Sequence, residues 1–226
     1  MGALIFDFDG VIADSEAIAN TVLAEIVTEL GHPTTLDQSL SRFAHRRWDE
    51  VMAEIEAAIG KPLPSDFSDE LKRATLDRFR TELKEVSGAA NFIKRFSQLP
   101  RCIASSSSID RLQLCLSVLA LEAEFGAHVF SADMVARGKP HPDIFLFAAD
   151  RLGVSPNQCL VIEDSAGGIK AAVAAGMTAV GLCAASHIRE GHHTKLRDAG
   201  AVHLAQSWGE VECFAEEFFK GQATVA

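Results

Sequence analysis

Four short stretches of this chain hold residue types that could act together on a charged substrate. "LIFDFDG" (residues 4–10) carries Asp7 and Asp9, and "IASSS" (103–107), followed by Ser108, supplies a run of hydroxyls. "RGKPHPDIF" (137–145) presents Lys139, and "LVIEDSAGG" (160–168) presents Glu163 and Asp164 ahead of two glycines. Four carboxylates brought to one point repel unless something cancels their charge. A hard divalent cation with oxygen ligands does so, and Mg2+ suits a site with few carboxylates, retained waters and a substrate phosphate. Hydroxyls, free N–H groups at a helix start and the Lys139 ammonium would complement the other half as a cradle for phosphate. Anion-binding groups beside such a cation point to phosphoryl transfer.

Each stretch has an ordinary explanation when taken alone. Ser108 before "IDRL" is a good N-cap residue, Lys139 could be a solvated surface lysine, and Glu163-Asp164-Ser165 could be an acidic helix start favoured by the macrodipole. What sets them apart is a shared position, because each ends an expected strand or opens an expected helix. In open α/β sheets, ligands gather beyond the carboxyl ends of the strands.

The elements that would place them there are legible as changes of period. Residues 3–9 read as a strand covered on both faces, with Asp7 and Asp9 pointing the same way. Further strands are expected at 102–106, 128–132, 159–164, 178–183 and 201–205, separated by helical patterns at 108–120, 141–152, 166–175 and 188–199. Between residues 15 and 88 the pattern is helical throughout, with segments at 15–30, 35–43, 46–59 and 66–86 punctuated by Gly31, Pro33, Gly60, Pro62, Pro64 and Gly88. The expected architecture is a Rossmann-like parallel-sheet α/β core with helices on both faces (residues 1–14 and 89–226). A small all-helical cap (15–88) is inserted after the first strand.

Composition narrows the function classes. The 226 residues are 48% hydrophobic and 23% charged, ordinary for a globular protein, and the net charge of −10 argues against a nucleic-acid or anionic-membrane surface. No apolar run approaches the ~20 residues of a membrane span, and the first residues lack the basic region of a signal peptide. A cytoplasmic enzyme, monomeric or weakly homodimeric, is the expectation. The five cysteines are widely spaced with no CxxC and read as small buried hydrophobes in a reducing compartment. His192 and His193 are adjacent, so they project in different directions, and they are not expected to bind a metal.

Taken together, "DFDGVIADS", "IASSS", "GKPHPDIF" and "IEDSAGGIKAAVAAGM" resemble the motifs of the haloacid dehalogenase superfamily of phosphohydrolases. The likeness is to the branch of β-phosphoglucomutase and the small sugar-phosphate phosphatases. The resemblance implies that Asp7 is a nucleophile forming an aspartyl-phosphate and that Asp9 is general acid and then base. It implies that Asp7, the Asp9 backbone carbonyl and Asp164 hold Mg2+, with Glu163 joining directly or through water, and that Ser105 and Lys139 hold the transferring phosphoryl group. Gly10, Ser15, Ser106 and Ser107 would line the phosphate or substrate position. An aspartate at position 9 also implies phosphate-ester or phosphate-mutase chemistry, since dehalogenases carry an aromatic residue there and phosphonate hydrolases an alanine. Where the mutases place a histidine four residues after a Thr or Ser at the first helix, this chain has Ala19, which favours a hydrolase over a mutase.

The expected substrate is a small phosphorylated metabolite, a sugar phosphate or a phosphorylated sugar acid such as 6-phosphogluconate. A phosphosugar mutase is the alternative, and an idle phospho-ligand or protein-binding module is disfavoured by the intact Asp7, Asp9 and Lys139. In the cap, "RFAHRRWDEV" (42–51) places Arg46 and Arg47 where the related mutases carry a substrate-binding arginine. Arg47 is expected to grip a second anionic group of the substrate.

Overall fold

The computed structural model describes residues 2–44 and 46–223. The chain divides into two compact units, Met1–Asp14 with Lys84–Ala226, and Ser15–Leu83.

The first unit is a Rossmann-like α/β layer structure. Its strands are β1 (Ala3–Phe6), β2 (Arg101–Ser105), β3 (Val129–Ser131), β4 (Cys159–Glu163), β5 (Thr178–Leu182) and β6 (His203–Ala205). They form one six-stranded sheet of order β3-β2-β1-β4-β5-β6, every pairing parallel. Because β1 lies between β2 and β4, the strand order reverses beside it, and a crevice opens there at the carboxyl edge of such sheets. Register brings the ends together: Phe6 pairs with Ile103 on one side and Ile162 on the other.

A strand buried on both faces must be apolar on both, and all four residues of β1 are fully buried. Ala3 and Ile5 join Cys102, Ala104, Cys159 and Val161 in a core completed by the helices Asp143–Leu152 and Ala166–Ala174. On the opposite face Phe6 meets Phe92, Phe125 and Trp208, with ring centroids about 6 Å apart. Those rings come from the helices Ala89–Arg95, Glu122–Phe125 and Trp208–Ala223. Cys102, Cys115 and Cys159 are buried and Cys183 is half-buried, whereas Cys213 is exposed on the last helix.

The second unit is all-helical: α1 (Glu16–Glu29), α2 (Leu36–Arg42), α3 (Trp48–Ile59) and α4 (Phe67–Glu82). Its core is Leu23, Val27, Phe43, Val51, Ile55 and Phe67. Thr35 starts α2 with a capping box: its hydroxyl accepts from Gln38 N and its own N–H donates to the Gln38 side chain.

Residues 84–88, which show no strand pattern, side with the α/β unit. The Asp14 N–H donates to the Lys84 carbonyl (2.9 Å), the Val86 N–H donates to Ile12 (2.8 Å), and Glu85 bridges Ala13 antiparallel. The two crossings of the chain thus satisfy each other's backbone groups, which a local pattern cannot reveal.

A candidate active site at the carboxyl ends of the strands

The first strand is shorter than the expected 3–9. Asp7 still belongs to the ladder, since its N–H donates to the Ile162 carbonyl (2.9 Å), but the Phe8 carbonyl then accepts from Ile12 and Ala13 (both 2.9 Å) and turns the chain. Asp7 and Asp9 therefore face different partners. Gly10 makes the turn with φ +75°, and a Cβ there would fall 1.8 Å from Oδ2 of Asp164. Only glycine allows the turn and the close approach together.

Asp7, Glu163 and Asp164 converge. All three are buried, and each offers a carboxylate oxygen within 4.8 Å of the others. Lys139 enters from the loop before the Asp143–Leu152 helix. Its ammonium donates to Oδ1 of Asp7 (2.7 Å) and Oε1 of Glu163 (2.6 Å), and it lies 5.0 Å from the centre of the Phe145 ring. The other Glu163 oxygen accepts from the N–H and hydroxyl of Ser165 (both 2.9 Å). Ser165 in turn caps the Ala166–Ala174 helix by accepting from Gly168 N. A Cβ on Gly168 would collide with the Glu163 carboxylate at 1.6 Å.

The electrostatics follow from this crowding. Burial pushes the Asp7 carboxyl well above its ordinary range; Lys139 pulls it back, and Glu163 and Asp164 push it further up. Burial alone would lower Lys139, but Asp7 and Glu163 outweigh it and hold its ammonium above the usual lysine value. Three buried carboxylates thus face one ammonium. An oxygen-only donor set with surplus negative charge suits a hard divalent cation.

The Asp9 carboxylate lies outside that group of three. It accepts from the Ser107 hydroxyl (2.5 Å) and from Arg111 (2.5 Å) on the helix Ile109–Val118. Ser105 is buried at the end of β2 and its hydroxyl accepts from Ser107 N (3.1 Å), while Ser106 is exposed on the same loop. Ser108 is the N-cap residue of that helix through its backbone, without a side-chain capping bond. Gly10 lies against Asp164.

Two expected residues belong to the helical unit. Ser15 is the buried N-cap of α1. Arg47 precedes α3, largely exposed, with its guanidinium paired to Asp49 (2.9 and 3.2 Å). Its neighbour Arg46 pairs with Glu50 and Glu54.

Sequence reasoning missed Arg111 and His187. Arg111 stands one turn after Ser107, a spacing that brings both onto the same carboxylate. His187 follows β5, and the strand-end rule applied to that strand too would have reached it.

A model of haloacid dehalogenase-like hydrolases matches residues 1–176. Among curated proteins, the 6-phosphogluconate phosphatase of Escherichia coli K12 is 26% identical over 90% of this chain and 91% of its own length. The phosphorylated carbohydrates phosphatase of Thermotoga maritima is 31% identical over 91% and 94%. Among solved structures, a HAD family hydrolase of Deinococcus radiodurans R1 with bound phosphate and sodium superposes with a TM-score of 0.80. It is 33% identical, with 96% of each chain covered.

Proposed function

The chain belongs to the haloacid dehalogenase-like hydrolase family, and from that premise we propose that it is a phosphatase of small phosphorylated carbohydrates working through a phosphoryl group carried on Asp7. The observation that carries this reading is the meeting of buried Asp7, Glu163 and Asp164 with the Lys139 ammonium in one cluster. Its substrate class, a sugar phosphate or phosphorylated sugar acid such as 6-phosphogluconate, is supported by the activities named for the relatives.

In the first step an Asp7 carboxylate oxygen attacks phosphorus while the bond from phosphorus to the sugar oxygen breaks. Asp9 gives its proton to that oxygen, so the sugar leaves as an alcohol. In the second step water attacks the same phosphorus and Asp9 takes its proton. The bond to Asp7 breaks, releasing inorganic phosphate, with the Asp7 carboxylate and the Asp9 proton restored. Lys139, Ser105, Ser106 and Ser107 hold phosphoryl oxygens through both steps, with Gly10 beside them. Lys139 also keeps Asp7 and Glu163 oriented. Mg2+, held by Asp7, the Asp9 carbonyl, Glu163 and Asp164, would supply the positive charge that lets an anionic nucleophile approach an anionic phosphate. Ala19 supports hydrolysis over mutase transfer.

With Mg2+ present the protein is expected to release phosphate from p-nitrophenyl phosphate and from members of a panel of phosphorylated sugars and sugar acids, and EDTA is expected to stop it. Silence across the panel and on the aryl ester would overturn the reading.

A further inference from the structure

The loop between β5 and the helix His192–Asp198 belongs to none of the four motifs, yet it is fastened to two of them. Its Ser186 donates through both N–H and hydroxyl to Oδ1 of Asp14 (3.0 and 2.8 Å), just beyond the turn that follows Asp7. The next residue, His187, is only 4% exposed, and its Nε2 lies 3.1 Å from Oδ2 of Asp164. His192 Nε2 lies 2.5 Å from the backbone carbonyl of the same Asp164, which requires its proton on that nitrogen. The two imidazoles meet edge to face, 5.8 Å apart at 85°. A Cβ on Gly10 would come within 2.8 Å of His187 Cε1 as well as striking Asp164. The imidazole and the carboxylate thus fill one space beside the turn after Asp7.

Burying an imidazole against a carboxylate costs solvation that packing with an apolar side chain would not. Outer groups that hold a metal-ligating side chain in place recover that cost as cation affinity, because the ligand no longer has to be ordered on binding. We infer that His187 is a positioning residue that holds the Asp164 carboxylate beside Asp7 and Glu163 for a divalent cation, with His192 fixing the backbone of Asp164. The inference rests on the cation reading of that cluster.

The test is Mn2+ binding to the metal-free protein, followed by the electron paramagnetic resonance signal of free Mn2+, for the wild type, D164N, H187N and H187Q. Asparagine places its amide nitrogen near the position of Nδ1, away from Asp164, whereas glutamine reaches the position of Nε2. The Nε2 contact is thereby separated from packing. D164N should lose most of its affinity, H187N should weaken about 10- to 100-fold, and H187Q should stay close to the wild type. Equal weakening of both His187 variants would mean packing alone and would overturn the inference, as would wild-type affinity in H187N while D164N is impaired. A wild type that does not bind Mn2+, or a D164N that binds it normally, would remove the cation reading and this inference with it.

Discussion

The α/β unit and the helical unit treat their charges in opposite ways. In the first, the side chains of Asp7, Lys139, Glu163 and Asp164 are at most 10% exposed and compete for one another. In the second, Arg42 and Arg46 share Glu54, Arg78 meets Glu25 and Arg47 meets Asp49, all with side chains about 30% exposed or more. Exposed pairs of that kind contribute between nothing and about 1 kcal/mol. Buried charges cost several kcal/mol each to desolvate, and apolar residues would usually stabilise a core as well. The α/β unit therefore carries a cluster that folding alone would not select, and the helical unit carries none of comparable burial among its described residues.

Substitutions can break that contrast, beginning with the largest effect. Asp7→Asn removes the proposed nucleophile and one proposed cation ligand. It should lower kcat on any phosphate ester by at least roughly a thousandfold, with the far-ultraviolet circular dichroism unchanged. Retention of a tenth of the activity would end the covalent mechanism.

Asp9→Asn sharpens the contrast inside the α/β unit. Loss of a general acid typically costs about 10²–10⁴-fold, and that loss should appear on alkyl sugar phosphates. It should be much smaller for formation of the phosphoryl-enzyme from p-nitrophenyl phosphate, whose leaving group needs little proton assistance. Arg111→Ala should follow the same leaving-group pattern with a smaller loss. Equal losses on both esters, measured by single-turnover release of the leaving group, would count against the acid role.

A stability measurement compares the two units directly. Lys139→Met leaves Asp7 and Glu163 buried without their ammonium and should cost about 3–5 kcal/mol in urea unfolding with EDTA present. Glu54→Gln, which breaks the corresponding pairs in the helical unit, should cost less than about 1 kcal/mol. Similar costs would erase the distinction.

The smallest effect is expected of Arg47→Ala on p-nitrophenyl phosphate, where kcat/KM should not change measurably. A fall of about tenfold or more confined to a phosphorylated sugar acid would give Arg47 the substrate contact that its sequence position suggests.

What the sequence disclosed follows the range of the forces involved. The strands are legible because continuous apolar runs report burial on both faces, and the four motifs because each ends such a run or opens a helix. The helix Trp208–Ala223 was not read, although Trp208, Val211 and Ala215 recur at helical spacing and are buried. Gly209 in its first turn and the ring-rich "CFAEEFF" obscure the period. Residues 84–88 read as part of the helical stretch because their partners lie at Ile12–Asp14, distant in sequence. Arg111 and His187 escaped for the same reason: each is defined by the carboxylate that it meets, Asp9 or Asp164, and no local period encodes that meeting.

The central place of β1 has a consequence for how the protein is made. Leu4 pairs with Arg101 on one side and Leu160 on the other. At about 5–20 residues per second of synthesis, the second partner emerges on the order of ten seconds after the first strand, whose backbone N–H and C=O groups on that side stay unpaired until then. Glu163 and Asp164 arrive with that second partner, and Lys139 only shortly before it. Asp7 is thus synthesised well before the acidic residues it meets, so the buried cluster in a growing chain would report the docking of β4 beside β1 rather than the formation of β1 alone.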